Sequence, residues 1–130
     1  MIKGIGIDMT YVKEVERLMN QLTNSFVQKT FTEKEVEISK NSPNSAEYLA
    51  TRFAVKEAVF KAVAHLTKTK NFDFRIVETL NEEDGNPYIK INSELQEILD
   101  DAGVNSLLVS ITTEGDYATA FVLAQANSKN

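Results

Sequence analysis

The sequence predicts an α+β domain, an antiparallel sheet packed on one long central helix, and three observations carry that expectation. Residues 45–66 form the longest helical pattern. Wound at about 100° per residue, Ala46, Leu49, Ala50, Phe53, Phe60 and Ala64 fall on one face. Two pairs of strand-like runs are joined by the turn sequences Asp84-Gly85-Asn86-Pro87 and Glu114-Gly115-Asp116, which makes them antiparallel hairpins. Shorter helices with recognisable caps accompany them. With 130 residues, 42% of them hydrophobic and 25% charged, the chain has material for one core. The domain is expected to span residues 1–125, with 126–130 as a frayed tail.

Residues 2–8 read as a short buried strand with glycines at positions 4 and 6. Thr10 is placed to cap a helix running to about Leu22, with Val12, Val15, Leu18, Met19 and Leu22 turned inward. Thr32 opens a capping box with Glu35 at the third helical position, and that helix runs to about Lys40. Residues 41–44, with Pro43, break the pattern before Ser45 starts the long helix. After a polar loop at 67–71, residues 72–80 alternate as a strand and return through the first hairpin turn to 88–91. Ser93 caps a helix that Gly103 ends, and residues 106–113 and 117–125 form the closing hairpin.

Composition excludes several chemistries. Without cysteine there is no disulfide, thiolate metal site or cysteine nucleophile, which fits a reducing cytoplasm. One histidine, His65, cannot build a multi-histidine zinc site within one subunit; at a helix C-terminus the dipole favours it, so its reading is structural. The net charge of -5 argues against general nucleic-acid binding. No apolar run reaches the length of a membrane span, and Met1 leads straight into strand-like sequence, so no signal peptide is expected.

Two acids stand out. Glu57 falls in the middle of the apolar face of the long helix, with Lys61 one turn on at its edge, and Asp8 ends an apolar strand. An ionised carboxylate among apolar neighbours is costly unless it has a cation or a full set of donors. Two such acids suggest a site for a small hard cation. Plainer readings stay open: Asp8 as a helix cap, and Glu57 with Lys61 as an ordinary i, i+4 ion pair. Arg52 lies off the apolar face and holds a phosphate or only water. Phe53, Phe60, Phe72 and Phe74 read as core. Val55, Val59 and Val63 form a second apolar stripe on the same helix. Burial against another subunit is the expectation, and packing under another element of the same chain is the alternative.

These residues together resemble a known family. The strand end G-I-G-I-D, the helix start F-T-E-x-E at Phe31, the run R-F-A-x-K-E-A-x-x-K-A from Arg52, the D-G-x-P hairpin and the V-S-I-T…D-Y-A-x-A-F-V end occur in order over nearly the whole chain. In this they are similar to the holo-acyl-carrier-protein synthases of the 4'-phosphopantetheinyl transferase superfamily. The resemblance implies that fold, and transfer of the 4'-phosphopantetheine arm of coenzyme A to a serine of apo acyl carrier protein in support of fatty acid synthesis. Adenosine 3',5'-bisphosphate would be released. It further implies Mg2+ on Asp8 and Glu57, Lys61 on coenzyme A phosphates, a homotrimer with sites between neighbouring subunits, and carrier-protein docking on the first helix, where Lys13 and Arg17 share a face at i, i+4. An acidic chain meeting an acidic carrier needs such a local basic patch. Glu14 and Glu16 dilute it but point elsewhere on the wheel. Whether Glu57 or a water takes the serine proton stays open.

The chain departs from the family pattern in two places. Ala64-His65-Leu66 stands where members carry a Gly-Thr-Gly-like turn, and a side chain there can block a left-handed backbone or close phosphate approach. Lys68 or Lys70 is the expected substitute, reaching the phosphate at the ribose 3' position. Thr112-Thr113 stands where many members carry Ser-His, so an imidazole role is absent there. The alternative function is a catalytically impaired homologue that binds carrier protein or coenzyme A.

Overall fold

The computed structural model describes residues 1–21, 25–68 and 72–127. Among these, β1 (Ile2–Tyr11) is followed by α1 (Val12–Met19), α2 (Ser25–Thr30), α3 (Glu33–Lys40) and α4 (Ser45–Val63). Two 3-10 turns, Ala64–Leu66 and Phe74–Ile76, lead to the hairpin β2 (Glu78–Asn81) and β3 (Pro87–Lys90). The chain continues through α5 (Ser93–Ala102), β4 (Ser106–Glu114) and β5 (Tyr117–Gln125). The main sheet is antiparallel in the order β1-β5-β4, and β2-β3 stands apart as a second antiparallel pair.

Helix α4 lies across the inner face of the main sheet, and small residues on both sides set its distance. A Cβ built on Gly4 would lie 2.0 Å from the Ala62 carbonyl oxygen, and one on Gly6 only 1.8 Å from that of Ala58. Ala54, Ala58 and Ala62 of the helix and Ala118, Ala120 and Ala124 of β5 are fully buried. The glycines of the strand are therefore a seat for the helix backbone. Strand alternation sends the intervening residues Ile5, Ile7 and Met9 to the outer face, where they are exposed beside Phe121 and Leu108.

The other side of α4 corrects an expectation. Val55, Val59 and Val63 are fully buried by the chain itself, in a cluster with Val77, Leu95, Leu99 and Val104. Helix α5 and the segment at 76–77 cover the stripe, so it is not left for a second subunit. A smaller cluster of Val12, Val15, Phe31, Leu49 and Ala50 closes the end beneath α1 and α3.

Caps and turns largely follow the sequence. Thr32 Oγ1 accepts from Glu35 N–H at 3.1 Å and Glu35 Oε1 from Thr32 N–H at 3.0 Å, so the capping box is complete. Gly103 ends α5 in the left-handed region at φ 73°, and Gly115 turns β4 into β5 at φ 57°. Four expectations shift. Asn92, not Ser93, caps α5: its Oδ1 accepts from Leu95 N–H at 2.8 Å while its side-chain nitrogen donates to Ile76 O. Thr10 is not a helix cap, because β1 runs on to Tyr11 and Thr10 pairs with Ala118 in the sheet. The run at 72–80 becomes strand only at Glu78. Asp73 caps a 3-10 turn before it, and consecutive Ile76 and Val77 are both buried, which a period of two forbids. Helix α2 was not expected. Leu22, Lys70 and the tail beyond residue 127 lie outside the described residues.

Candidate active site

The inner face of β1 reads Gly4, Gly6, Asp8, Thr10, each two residues from the last. The two glycines admit α4, and the next inward side chain is the acid. Helix α4 presents Glu57 and Lys61 one turn apart beside it. Lys61 Nζ lies 3.3 Å from Asp8 Oδ1 and donates to Ile7 O at 3.1 Å. Thr10 Oγ1 donates to Asp8 Oδ2 at 2.9 Å. The three expected residues are thus brought together, and both plain readings are corrected. Asp8 sits inside a strand and caps nothing, and α1 begins without a side-chain cap. The ion pair of Lys61 is with Asp8, across 53 residues of sequence, and not with its helix neighbour.

Glu57 does not face the core. It is half-buried on the wall of a cleft of about 320 Å³ with Asp8, Thr10, Tyr11, Phe26 and Phe53. Phe60 is 36% exposed, which corrects its assignment to the core; Phe53, Phe72 and Phe74 are half-buried. The apolar stripe is core at Ala46, Leu49 and Ala50 and meets the cleft wall at Phe53 and Glu57. Burial pushes the Glu57 carboxyl above the usual range, the Asp8 charge pushes it further, and Lys61 pulls it back in part. One ammonium, paired with Asp8, beside two carboxylates leaves an excess of negative charge. No group of three or more His, Cys, Asp or Glu side chains is gathered for a metal among the described residues. The donor set on offer is two hard carboxylates on the wall of one cleft, Asp8 and Glu57, which fits Mg2+, a cation that keeps several waters and takes few protein ligands.

The remaining candidates are scattered. Arg52 is only 4% exposed, so the expectation that it meets phosphate or water off the apolar face is corrected. Its guanidinium donates to Asn81 Oδ1 and Thr51 Oγ1 and stacks 4.3 Å over the Tyr48 ring. Lys56 is fully buried against Glu35, and its ammonium takes no part in the cleft. Lys68 is exposed, with its backbone N–H held by Asp101 at 2.9 Å. Asp101 also accepts from Thr67 Oγ1, and these two bonds hold its carboxyl below the usual range. Arg17 makes two hydrogen bonds to Glu14, at 2.5 and 3.1 Å, so Glu14 does not point elsewhere as expected. Lys13 lies 3.8 Å from Asp116. The Ala64-His65-Leu66 turn needs no glycine, because Ala64 is right-handed at φ −58°, ψ −36° and no described non-glycine residue has positive φ.

Sequence reasoning missed Thr10 and Phe26. The first was detectable, since Asp8 and Thr10 must share a face of any strand containing both. The second sits on the unexpected α2.

A fold of this kind, with an acid on a glycine-bearing strand against a Lys-Glu helix, defines a class: residues 4–122 match the model of the 4'-phosphopantetheinyl transferase superfamily, and the chain belongs to that superfamily. Among curated relatives, "Holo-[acyl-carrier-protein] synthase" of Thermodesulfovibrio yellowstonii is 37% identical over 124 residues, covering 95% of this chain and 98% of the relative. The crystal structure of holo-[acyl-carrier-protein] synthase from Neisseria meningitidis superposes with a TM-score of 0.86 at 31% identity, covering 96% of this chain and 99% of that one. A holo-(acyl-carrier-protein) synthase from Bacillus anthracis in complex with CoA (3',5'-ADP) gives 0.76 at 27% identity, covering 98% and 99%.

Proposed function

We propose that this chain is a Mg2+-dependent holo-acyl-carrier-protein synthase, moving the phosphopantetheine arm of coenzyme A onto a serine of apo acyl carrier protein. The observation that carries the reading is the meeting of Asp8, Glu57 and Lys61 where α4 seats on the strand glycines. The serine oxygen forms a bond to the phosphorus bearing the pantetheine while the bond to the adenosine phosphate breaks, releasing adenosine 3',5'-bisphosphate. Asp8 and Glu57 would hold Mg2+, which when bound supplies positive charge to the pyrophosphate. Lys61 serves as a mobile point charge for a phosphate oxygen. Burial and the Asp8 charge raise the proton affinity of Glu57 in the metal-free protein, and Mg2+ on the same carboxylate opposes that shift, so Glu57 and a water stand as the two acceptors for the serine proton. Lys68 is exposed beyond the turn after α4 and is the described candidate for the 3' phosphate, with Lys70 as the second.

Docking of the carrier is assigned to α1, where an acidic partner would compete with Glu14 for Arg17 and with Asp116 for Lys13. Three copies would pack through the outer sheet face of Ile5, Ile7, Met9, Leu108 and Phe121. A monomer in sedimentation equilibrium overturns that assembly. No described helix is long and apolar enough to cross a membrane, and cytoplasmic residence is proposed with the cysteine-free sequence.

The test is the intact mass of apo acyl carrier protein after incubation with the protein, coenzyme A and Mg2+. A gain of one phosphopantetheine, lost with EDTA, is expected. Glu57→Gln should slow the transfer about 10²–10⁴-fold, and Lys13→Glu with Arg17→Glu should raise the KM for carrier. No gain with several carriers by a folded protein overturns the reading. The same assay has an expected pH dependence. The Mg2+ requirement should steepen as pH falls through the raised pKa of Glu57, because proton and metal compete for one carboxylate. In the metal-free protein the sign for stability is opposite. Stability linked to Glu57 is present at low pH and is lost as pH rises through its folded-state pKa.

A further inference from the structure

We propose that Thr10 is a positioning residue for the cation site, its hydroxyl fixing the rotation of the Asp8 carboxylate. The inference rests on the reading of Asp8 and Glu57 as the Mg2+ ligands. The residues follow each other on one face of β1, and the register of that strand is pinned by pairing of Asp8 with Ala120 and Thr10 with Ala118. Thr10 is 7% exposed, so its hydroxyl has few alternatives to the carboxylate oxygen 2.9 Å away. An ionised carboxylate only accepts, so the proton of this bond is the threonine's. The two oxygens of Asp8 are thereby divided. Oδ2 is held from within its own strand, and Oδ1 is turned to α4, where it meets Lys61 and where Glu57 lines the same cleft. Without the hydroxyl the carboxylate can rotate about its last bond, a soft torsion, and the presented oxygen is no longer fixed. Partners that orient a metal-binding carboxylate are commonly worth a factor of about 10–100 in metal affinity.

The plain alternative is that Thr10 is present because a β-branched side chain suits a strand. Valine keeps the branching, the strand propensity and nearly the volume, and removes only the hydroxyl. Binding of Mn2+, as a paramagnetic substitute for Mg2+, is measured by the electron-spin resonance of the free ion, with no substrate present. Thr10→Val should raise the Mn2+ Kd about 10–100-fold at an unchanged thermal midpoint, and Thr10→Ser should stay within about 3-fold of the parent. Thr10→Ala, which also lacks the hydroxyl, should match Thr10→Val and serves if valine is not accommodated. Equal Kd for parent and hydroxyl-free variants overturns the positioning role while leaving the metal site standing. A parent chain that binds no Mn2+ overturns both.

Discussion

Gly6→Ala should cost several kcal/mol of stability and most of the transferase activity with it. The added Cβ would lie 1.8 Å from the Ala58 carbonyl oxygen and 3.0 Å from the Ala62 nitrogen, all backbone of α4. A rotamer change in a neighbour cannot relieve a clash with backbone, so the helix must lift from the strand. Overpacking in a yielding core costs roughly 1–3 kcal/mol, and a rigid helix backbone puts this case at or above the upper end. Against a total stability of about 5–15 kcal/mol for a domain of this kind, that is a large share. The lift acts where Lys61 reaches Asp8, so any molecules that remain folded would lose the 3.3 Å contact as well. The urea midpoint of Gly6→Ala, compared with that of Gly6→Ala with Ala58→Gly, tests the cause. Removing the Ala58 methyl should rescue nothing, because the obstacle is its carbonyl. A midpoint within error of the parent would show that α4 can shift at little cost.

The same seat explains what the sequence could disclose. Glu57 and Lys61 were legible because a helix wheel places an acid among Phe53, Phe60 and Ala64, and Asp8 because it closes an apolar strand. Those are local periodicities. The capping box at Thr32 and the Gly103 stop are local too, and both were found. The glycines at 4 and 6 were visible in the sequence, but that they receive the carbonyls of residues 58 and 62 was not, since nothing nearby in the chain encodes it. The valine stripe failed for a related reason: its periodicity states that it is covered, and only the placement of α5 states by what. Asn92 was passed over for Ser93 because either can cap, and the decision came from the bond of Asn92 to Ile76 O, 16 residues away. Arg52 was read from its wheel position alone, while Asn81 and Tyr48 had already engaged it.

The residue least readable in advance was Lys56, and it supports the second large effect: Lys56→Met should destabilise the protein by about 3–5 kcal/mol. Its ammonium is fully buried and lies 2.8 Å from Glu35 Oε1, with the carbonyls of Phe74 at 2.9 Å and Val77 at 2.5 Å taking its other two protons. Glu35 in turn accepts from Thr32 N–H at 3.0 Å through Oε1 and from Thr79 N–H at 3.1 Å through Oε2. The pair therefore ties the start of α3, the middle of α4, the turn at 74–76 and β2 into one network. Burial pushes the Lys56 ammonium pKa down, and the Glu35 charge opposes that shift. Removing either partner strands a charge without water, which is why each single change is costly. Glu35→Leu with Lys56→Met should lose less than the sum of the two, giving a favourable coupling in a double-mutant cycle read by urea unfolding. It should still fall short of the parent, because Thr79 N–H and the carbonyl of Val77 are left without these partners at about 1–3 kcal/mol each. Additive losses would mean that the two charges do not depend on each other. The consequence for the site is rotational. Successive helix residues are turned by about 100°, so a Lys56 locked into this network leaves Glu57 only the cleft to face. The Lys-Glu pair of the superfamily pattern thus has one member in the core network and one on the cleft wall, side by side in sequence and separated by the turn of the helix.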